Sequence, residues 1–146
     1  MFLAPVLILF AGAVLVFAAG LAKAGRTVLT IISVFCAFSA SFTLAPFLFF
    51  SQPRMIGYFG GFILFRIEPV ASVGALFLAL SAVGFSVWLA ACYREPELRS
   101  VLSLMLAGVS FSAASVYAAN LPSMMLFTSL TFLTLLFLHN KVRRSS

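Results

Sequence analysis

The stretch VASVGALFLALSAVGFSVWLAACY, Val70–Tyr93, contains no charged residue and no proline. Wound as an α-helix at about 1.5 Å per residue, it is long enough to cross the roughly 30 Å hydrocarbon core of a bilayer. Bulky apolar residues fall on every side of that helix, so no face of it is suited to water. Working outward, four more apolar stretches appear, at about 2–22, 27–50, 101–119 and 122–138. Together they predict an all-α integral membrane protein, a single membrane domain over 1–146 with five spans. The fifth stretch is the shortest and is expected to sit with little tilt.

Composition supports the same class. The chain is 146 residues long, 64% hydrophobic and 8% charged, with mean hydropathy +1.21. Soluble domains carry about 25% charged residues. So few polar groups cannot clothe a water-facing surface. The opening MFLAPVLILFAGAVLVFAAGLAKAG lacks a positive leading region and is long enough to span, so it is read as a retained first helix rather than a cleaved signal.

The breaks between spans have local causes. AKAGR closes the first span with a glycine and cations. Pro46 is expected to end or kink the second. YREPELRS concentrates charge around Pro96. AANLPS is a tight turn, with Pro122 suited to the first helical position, where its missing N–H costs nothing.

The net charge of +6 comes from nine cations set against three acids. They do not form a basic stripe interleaved with aromatics, so no nucleic-acid partner is expected. They do orient a bundle. With the N-terminus outside, seven cations (Lys23, Arg26, Arg94, Arg99, Lys141, Arg143, Arg144) lie inside and two, Arg54 and Arg66, outside. The positive-inside rule then predicts N-out, C-in, in the cytoplasmic (inner) membrane. The basic tail 139–146 would be cytoplasmic and attract anionic lipid or acidic partners.

The spans themselves lack the groups that transport and catalysis need. The acids are Glu68, Glu95 and Glu97, all at or beyond span ends, and the single histidine, His139, closes the fifth span. One histidine cannot supply both axial ligands of a bis-histidine haem. The cysteines, Cys36 and Cys92, stand alone in apolar stretches and read as small hydrophobes. No cofactor, metal or catalytic pair is predicted, and the chain is not read as an enzyme by itself. Small residues crowd the fourth span, AGVSFSAASVYAA, which suits tight helix packing and, as the alternative, a polar half-channel. The hydroxyls of the fifth, Ser123, Thr128, Ser129, Thr131 and Thr134, either line a water path or bond back to their own helix.

One segment departs from the apolar pattern. GYFGGFILFRIEP, Gly57–Pro69, pairs glycines with aromatic and β-branched residues and predicts an extended turn or hairpin at the outer surface between the second and third spans. Arg66 and Glu68 are two apart, so on a strand both point to one side.

The order of these features resembles the antiporter-like family: the large membrane subunits of respiratory complex I, Mrp-type cation/proton antiporters and energy-converting membrane hydrogenases. Phe65, Arg66, Ile67, Glu68 and Pro69, with Ser72 following, are similar to the phrase that opens that family's third helix, and Tyr93 matches the tyrosine near its end. Ala119, Asn120 and Leu121 match the turn between its fourth and fifth helices. Where the family carries a Trp–Glu pair in the fifth helix, with the glutamate central to proton translocation, this chain has Phe127 and Thr128. The resemblance extends over the family's first five helices only, so neither of its two inverted five-helix repeats is represented whole.

That resemblance, with its acid missing, implies an accessory, non-pumping membrane subunit of a complex I-like or membrane-hydrogenase-type ion-translocating complex. Its partners would be the other membrane subunits, including a full-length antiporter-like one, and lipids. Arg66, Glu68, Asn120, Thr128 and Ser129 are the candidate interface or path-lining residues. The competing expectation is a small homo-oligomeric transporter or channel whose pore is lined by Ser and Thr.

Overall fold

A computed structural model describes residues 4–23, 25–46, 54–58, 60–67, 69–93 and 95–145. Five α-helices and one antiparallel strand pair make up the chain: α1 Ala4–Leu21, α2 Arg26–Leu44, β1 Arg54–Tyr58, β2 Ile63–Ile67, α3 Pro69–Cys92, α4 Glu95–Val116 and α5 Leu121–Ser145. Four of the helices, α2 to α5, are long and apolar enough to cross a membrane. The apolar stretch of α1, Pro5–Leu21, is shorter at 17 residues, and residues 1–3 lie outside the described chain. The protein is thus a multi-pass helical chain of membrane type.

Several boundaries differ from those expected. Helix α4 begins at Glu95 rather than near 101. Pro96 sits in its first turn, where a proline has no hydrogen bond to lose, so the charged segment starts the helix instead of interrupting it. The helix stops at Val116, not 119, because the next residues pair with β2. Helix α5 is the longest at 25 residues, not the shortest. The expected tail is helical through Ser145. Cations at a helix C-terminus complement the partial negative charge of its last carbonyls, which favours this extension. Helix α1 closes with Lys23 at φ 63, whose N–H donates to the Gly20 carbonyl at 3.1 Å. A lysine, not the glycine of AKAGR, therefore takes the left-handed terminal position. Gly25 is extended and precedes α2. Helix α2 ends at Leu44, just before Pro46, and the expected continuation over 47–50 lies outside the described residues.

Side-chain pairs give the packing directions. Along α1 and α4, the Ser103 hydroxyl donates to the Ala13 carbonyl at 3.0 Å and the Ser110 hydroxyl to the Val6 carbonyl at 2.9 Å. The order is reversed between the two helices, so they are antiparallel. Ser33 and Ser86 hydroxyls meet at 2.5 Å between α2 and α3. Ser115 and Thr128 meet at 3.2 Å between α4 and α5. Helices α1, α2, α3 and α4 close a ring in chain order, and α5 packs only on α4 and β2 among the larger contacts.

Leucines of α1, α2 and α4 fill much of the interior, while α3 turns mainly small residues inward and large ones outward. On α3 the buried residues are Ser72, Ala75, Ala79, Ala82, Ser86 and Leu89, a three–four spacing that keeps one narrow seam toward the bundle, with Ala90 buried beside its end. Phe77, Phe85, Val87 and Trp88 of the same helix point outward. Buried hydroxyls are satisfied within the chain. Ser86 donates to the Ala82 carbonyl at 2.7 Å, and Ser41 to that of Ala37 at 2.9 Å. Backbone carbonyls and partner hydroxyls thus stand in for water.

Gly20 of α1 lies against the Arg99 stem of α4, and Lys141 of α5 shares a cavity with Ser100 and Phe17, so the ends of α1 and α5 meet the start of α4 at one end of the bundle. The strand pair, with Arg54 and Arg66, caps the other.

Candidate functional site

At the capped end the side chains of Ser72, Tyr117, Asn120 and Ser123 tie the hairpin and the helix ends together. Strands β1 and β2 pair antiparallel from Arg54↔Ile67 to Tyr58↔Ile63. Gly60 (φ 68) and Gly61 (φ 90) make the reversal, in backbone conformations that other residues rarely adopt. A lone two-stranded ribbon is marginal and leaves a free edge. Here the second edge of β2 is taken by the connector between α4 and α5. The Arg66 N–H donates to the Tyr117 carbonyl at 2.8 Å, the Ala119 N–H to the Leu64 carbonyl at 2.8 Å, and the Leu64 N–H to Ser123 Oγ at 2.7 Å.

Asn120 joins three elements. Its Oδ1 accepts the Ser123 N–H at 3.1 Å, capping the first turn of α5. Its Nδ2 donates to the carbonyls of Gly61 and Phe62, both at 3.2 Å, fixing the hairpin turn. Beneath the ribbon, Phe65 is almost fully buried. Its ring lies edge-on to Tyr58 at 6.1 Å and tilted against Phe127 at 5.4 Å. Tyr117 is equally buried, and its hydroxyl donates to Ser72 Oγ at 2.8 Å, tying the connector to the start of α3.

Tyr117 lies one residue beyond the α4 span. Burial pushes its phenol above the ordinary tyrosine value, and the hydrogen bond with Ser72 pulls partly back. The raised value favours the neutral donor. The stability it confers is full below the ordinary tyrosine value near pH 10 and is lost as pH rises through the raised one. Tyr117→Phe is expected to cost about 1 kcal/mol at neutral pH and to flatten the alkaline fall in melting temperature, as a pH series of thermal unfolding would measure.

The expected site residues are distributed as follows. Asn120 is central to the cluster. Arg66 joins through its backbone, and its side chain is exposed. Glu68, expected on the same side of the strand as Arg66, lies outside the described residues. Thr128 is half-buried on the hydrogen bond to Ser115, one level deeper toward the membrane. Ser129 is exposed on α5, away from the cluster's hydrogen bonds. Thr131 and Thr134 bond back to the carbonyls of Phe127 and Leu130, each at 2.8 Å. Cys36 is buried and Cys92 exposed. Among the described residues, no three of His, Cys, Asp and Glu gather at metal-binding distance.

Sequence reading missed Tyr117 and the seam of α3, and it gave Ser123 a water path or its own helix as partner, where the structure has it accept from the hairpin at Leu64. The seam was detectable as Ser/Ala recurring at three–four spacing. Nothing local marks Tyr117 or Ser123, whose partners lie 45 and 59 residues away.

Chemically, this cluster holds segments together. Its described members are hydroxyls, amides and rings. Asn120→Ala would remove a helix cap and two hairpin bonds at once. It is expected to lower stability by about 1–2 kcal/mol, measured by thermal unfolding in detergent, with faster amide exchange at Leu64 and Ser123. Compared with known protein families, characterised proteins and solved structures, the chain matches none.

Proposed function

We propose that this chain is an accessory, non-pumping membrane subunit that scaffolds a neighbouring antiporter-like subunit in a complex I-like or membrane-hydrogenase-type ion-translocating complex. The supporting observation is α5. Only 11% of its span is buried within the chain. Met125, Phe132, Leu136 and Phe137 project from it, while its inner side is held by α4 and the hairpin. Such a helix presents a firm apolar face to another membrane subunit. The antiporter-like partner is taken from the sequence resemblance.

The pumping role is set aside on chemical grounds. Driving ions through hydrocarbon takes ionisable groups within the span. The three acids of this chain are at positions 68, 95 and 97. Thr128, at the position of the family's glutamate, spends its hydroxyl on Ser115. The same use of hydroxyls weighs against the homo-oligomeric channel, since Thr131 and Thr134 also bond within their own helix.

The basic end is assigned to the cytoplasm and the hairpin to the outer face, giving N-out, C-in. A fluorescent protein fused to the C-terminus should be bright in cells, and a dark, exported fusion would reverse the orientation.

Purification from native membranes in mild detergent should yield stoichiometric membrane subunits, an antiporter-like chain among them. A lone polypeptide that by itself exchanges cations for protons in liposomes would overturn the proposal. Thr128→Glu is expected to cost about 3 kcal/mol, because a carboxylate would replace a packed hydroxyl. An unchanged unfolding transition would indicate a hydrated path there instead.

A further inference from the structure

The hairpin has one edge covered and one open. On a strand, alternate residues turn their backbone N–H and C=O to opposite edges. Leu64 and Arg66 of β2 turn theirs to the α4–α5 connector, through the bonds with Tyr117, Ala119 and Ser123. Ile63, Phe65 and Ile67 therefore bond to β1, where the register gives them Tyr58, Ile56 and Arg54 as partners. The N–H and C=O of Met55 and Gly57 then point away from β2. Among the described residues nothing meets them. Met55 is 59% exposed, and Gly57 is exposed as well. Among the larger contacts β1 touches β2 and no helix.

Proteins usually blunt such an edge with a charge, a proline or a bulge. Met55–Tyr58 contains no charge and no proline, and the pairing from Arg54↔Ile67 to Tyr58↔Ile63 runs without a bulge. A glycine inside a strand often marks the close approach of another backbone. The three atoms nearest to a Cβ built on Gly57 belong to Leu64, Gly61 and Ile63, all within the hairpin, and none comes from beyond the open edge.

The edge is also complementary to itself. When a second copy is turned about a two-fold axis through Ile56, Met55 faces Gly57 of that copy and Gly57 faces its Met55. Each such pair can exchange both N–H···O bonds, and each Met55 side chain lies beside a residue that has none. Two copies inserted in a membrane in the same sense carry this edge at the same depth, and a two-fold axis along the membrane normal relates them. We propose that the open edge of β1 is a self-association surface, pairing antiparallel with β1 of a second copy of this chain to make one sheet across a dimer. This surface does not depend on the accessory-subunit reading.

The pairing sets distances that cysteines can read. Ile56 meets Ile56 of the second copy as a non-hydrogen-bonded pair, with Cα atoms about 4.5 Å apart, within disulfide reach. Met55 and Met55 of the second copy are diagonal neighbours at about 7–8 Å, outside that reach. The full chain carrying Cys36→Ala and Cys92→Ala is reconstituted in phosphatidylcholine vesicles and oxidised with copper–phenanthroline. Ile56→Cys should run mostly at twice the mass of one 15.7 kDa chain. Met55→Cys should run mostly as a single chain, although Met55 is exposed and Ile56 only half-exposed, so random collision would give the opposite order. Adding Met55→Pro to Ile56→Cys should lower the cross-linked fraction about tenfold, because each copy loses a donor at the new edge while the bonds to β2 are kept. Hydrogen exchange should show Leu64 and Ser123 still protected in that variant. If their protection falls, the hairpin itself is lost, and the comparison of Ile56→Cys with Met55→Cys decides. A single-chain Ile56→Cys, equal or stronger cross-linking through Met55→Cys, dimers that survive Met55→Pro in an intact hairpin, or capture of a different polypeptide by Ile56→Cys in native membranes would each overturn the proposal.

Discussion

Phe65→Ala is expected to detach the hairpin from the bundle and to lower stability by about 3–5 kcal/mol, the range for truncating a buried phenylalanine. Phe65 is 1% exposed and sits between the rings of Tyr58 and Phe127. Its backbone lies at the bridge to Ala118. Removing the ring leaves a void that the ribbon can fill only by shifting β2, and such a shift breaks its register with residues 117–119. The loss is therefore cooperative. The bonds from Arg66 to Tyr117, from Ala119 to Leu64, and from Leu64 to Ser123 depend on one strand position. Hydrogen exchange should show those three amides losing protection together while the α2–α3 contact at Ser33 and Ser86 stays protected. A thermal transition in detergent equal to that of the parent protein would show that the ring carries no such burden. Phe65→Leu, which keeps most of the volume, should recover about half of the loss.

Gly12→Leu is expected to have a comparable effect by the opposite route, overpacking. Gly12 on α1 faces Cys36 on α2. A Cβ at residue 12 would lie 2.8 Å from the Cys36 Cβ and 2.9 Å from its sulfur. The Cys36 Cβ is rigidly attached to its backbone, so no rotamer change relieves the contact, and α1 and α2 must separate. Overpacking of this kind costs about 1–3 kcal/mol, and a leucine adds three more carbons to place. Between membrane helices, close approach is itself a main source of attraction, so separation also forfeits dispersion contacts along the seam. Gly84 on α3 is the control. Nothing lies within 4 Å of a Cβ built there, and Gly84→Ala should leave stability unchanged or raise it by up to about 1 kcal/mol. Chemical unfolding in mixed micelles compares the two. A neutral Gly12→Leu would mean that the α1–α2 contact is looser than its geometry indicates.

Gly20 makes the same kind of contact with α4, where its absent side chain leaves room for the Arg99 stem, and an added Cβ would lie 2.7 Å from the Arg99 Cβ. Gly12 and Gly20 fall two turns apart on α1, so one helix uses two glycines to approach two neighbours. In sequence both look like ordinary members of an apolar run.

Membrane class, helix number and the grouping of charge could be read from residues alone. These depend on side-chain transfer energies that add along a segment and need no knowledge of partners. The stretch Val70–Tyr93 declares a spanning helix whatever it packs against. The two glycines at 60 and 61 likewise call for a reversal, because few other residues tolerate that backbone. Helix limits were less legible. Pro96 reads as a breaker, yet it begins α4, since a proline's cost depends on whether its position in the helix needs an N–H. The basic residues after Leu138 read as a tail, yet they extend α5.

Tertiary structure alone decided what the hairpin does and which residues hold it. Phe65, Tyr117, Asn120 and Ser123 are separated in the chain and carry no shared motif. They meet because the α4–α5 turn lies beside β2 and offers matching carbonyls and N–H groups to its unpaired edge. It likewise decided that α5 stands outside the ring, which creates its open face. Hydrophobicity is a property of each residue, and so it is written in the sequence. A hydrogen-bonded edge or a gap between helices is a property of pairs, and it exists only once the fold has brought them within a few ångströms.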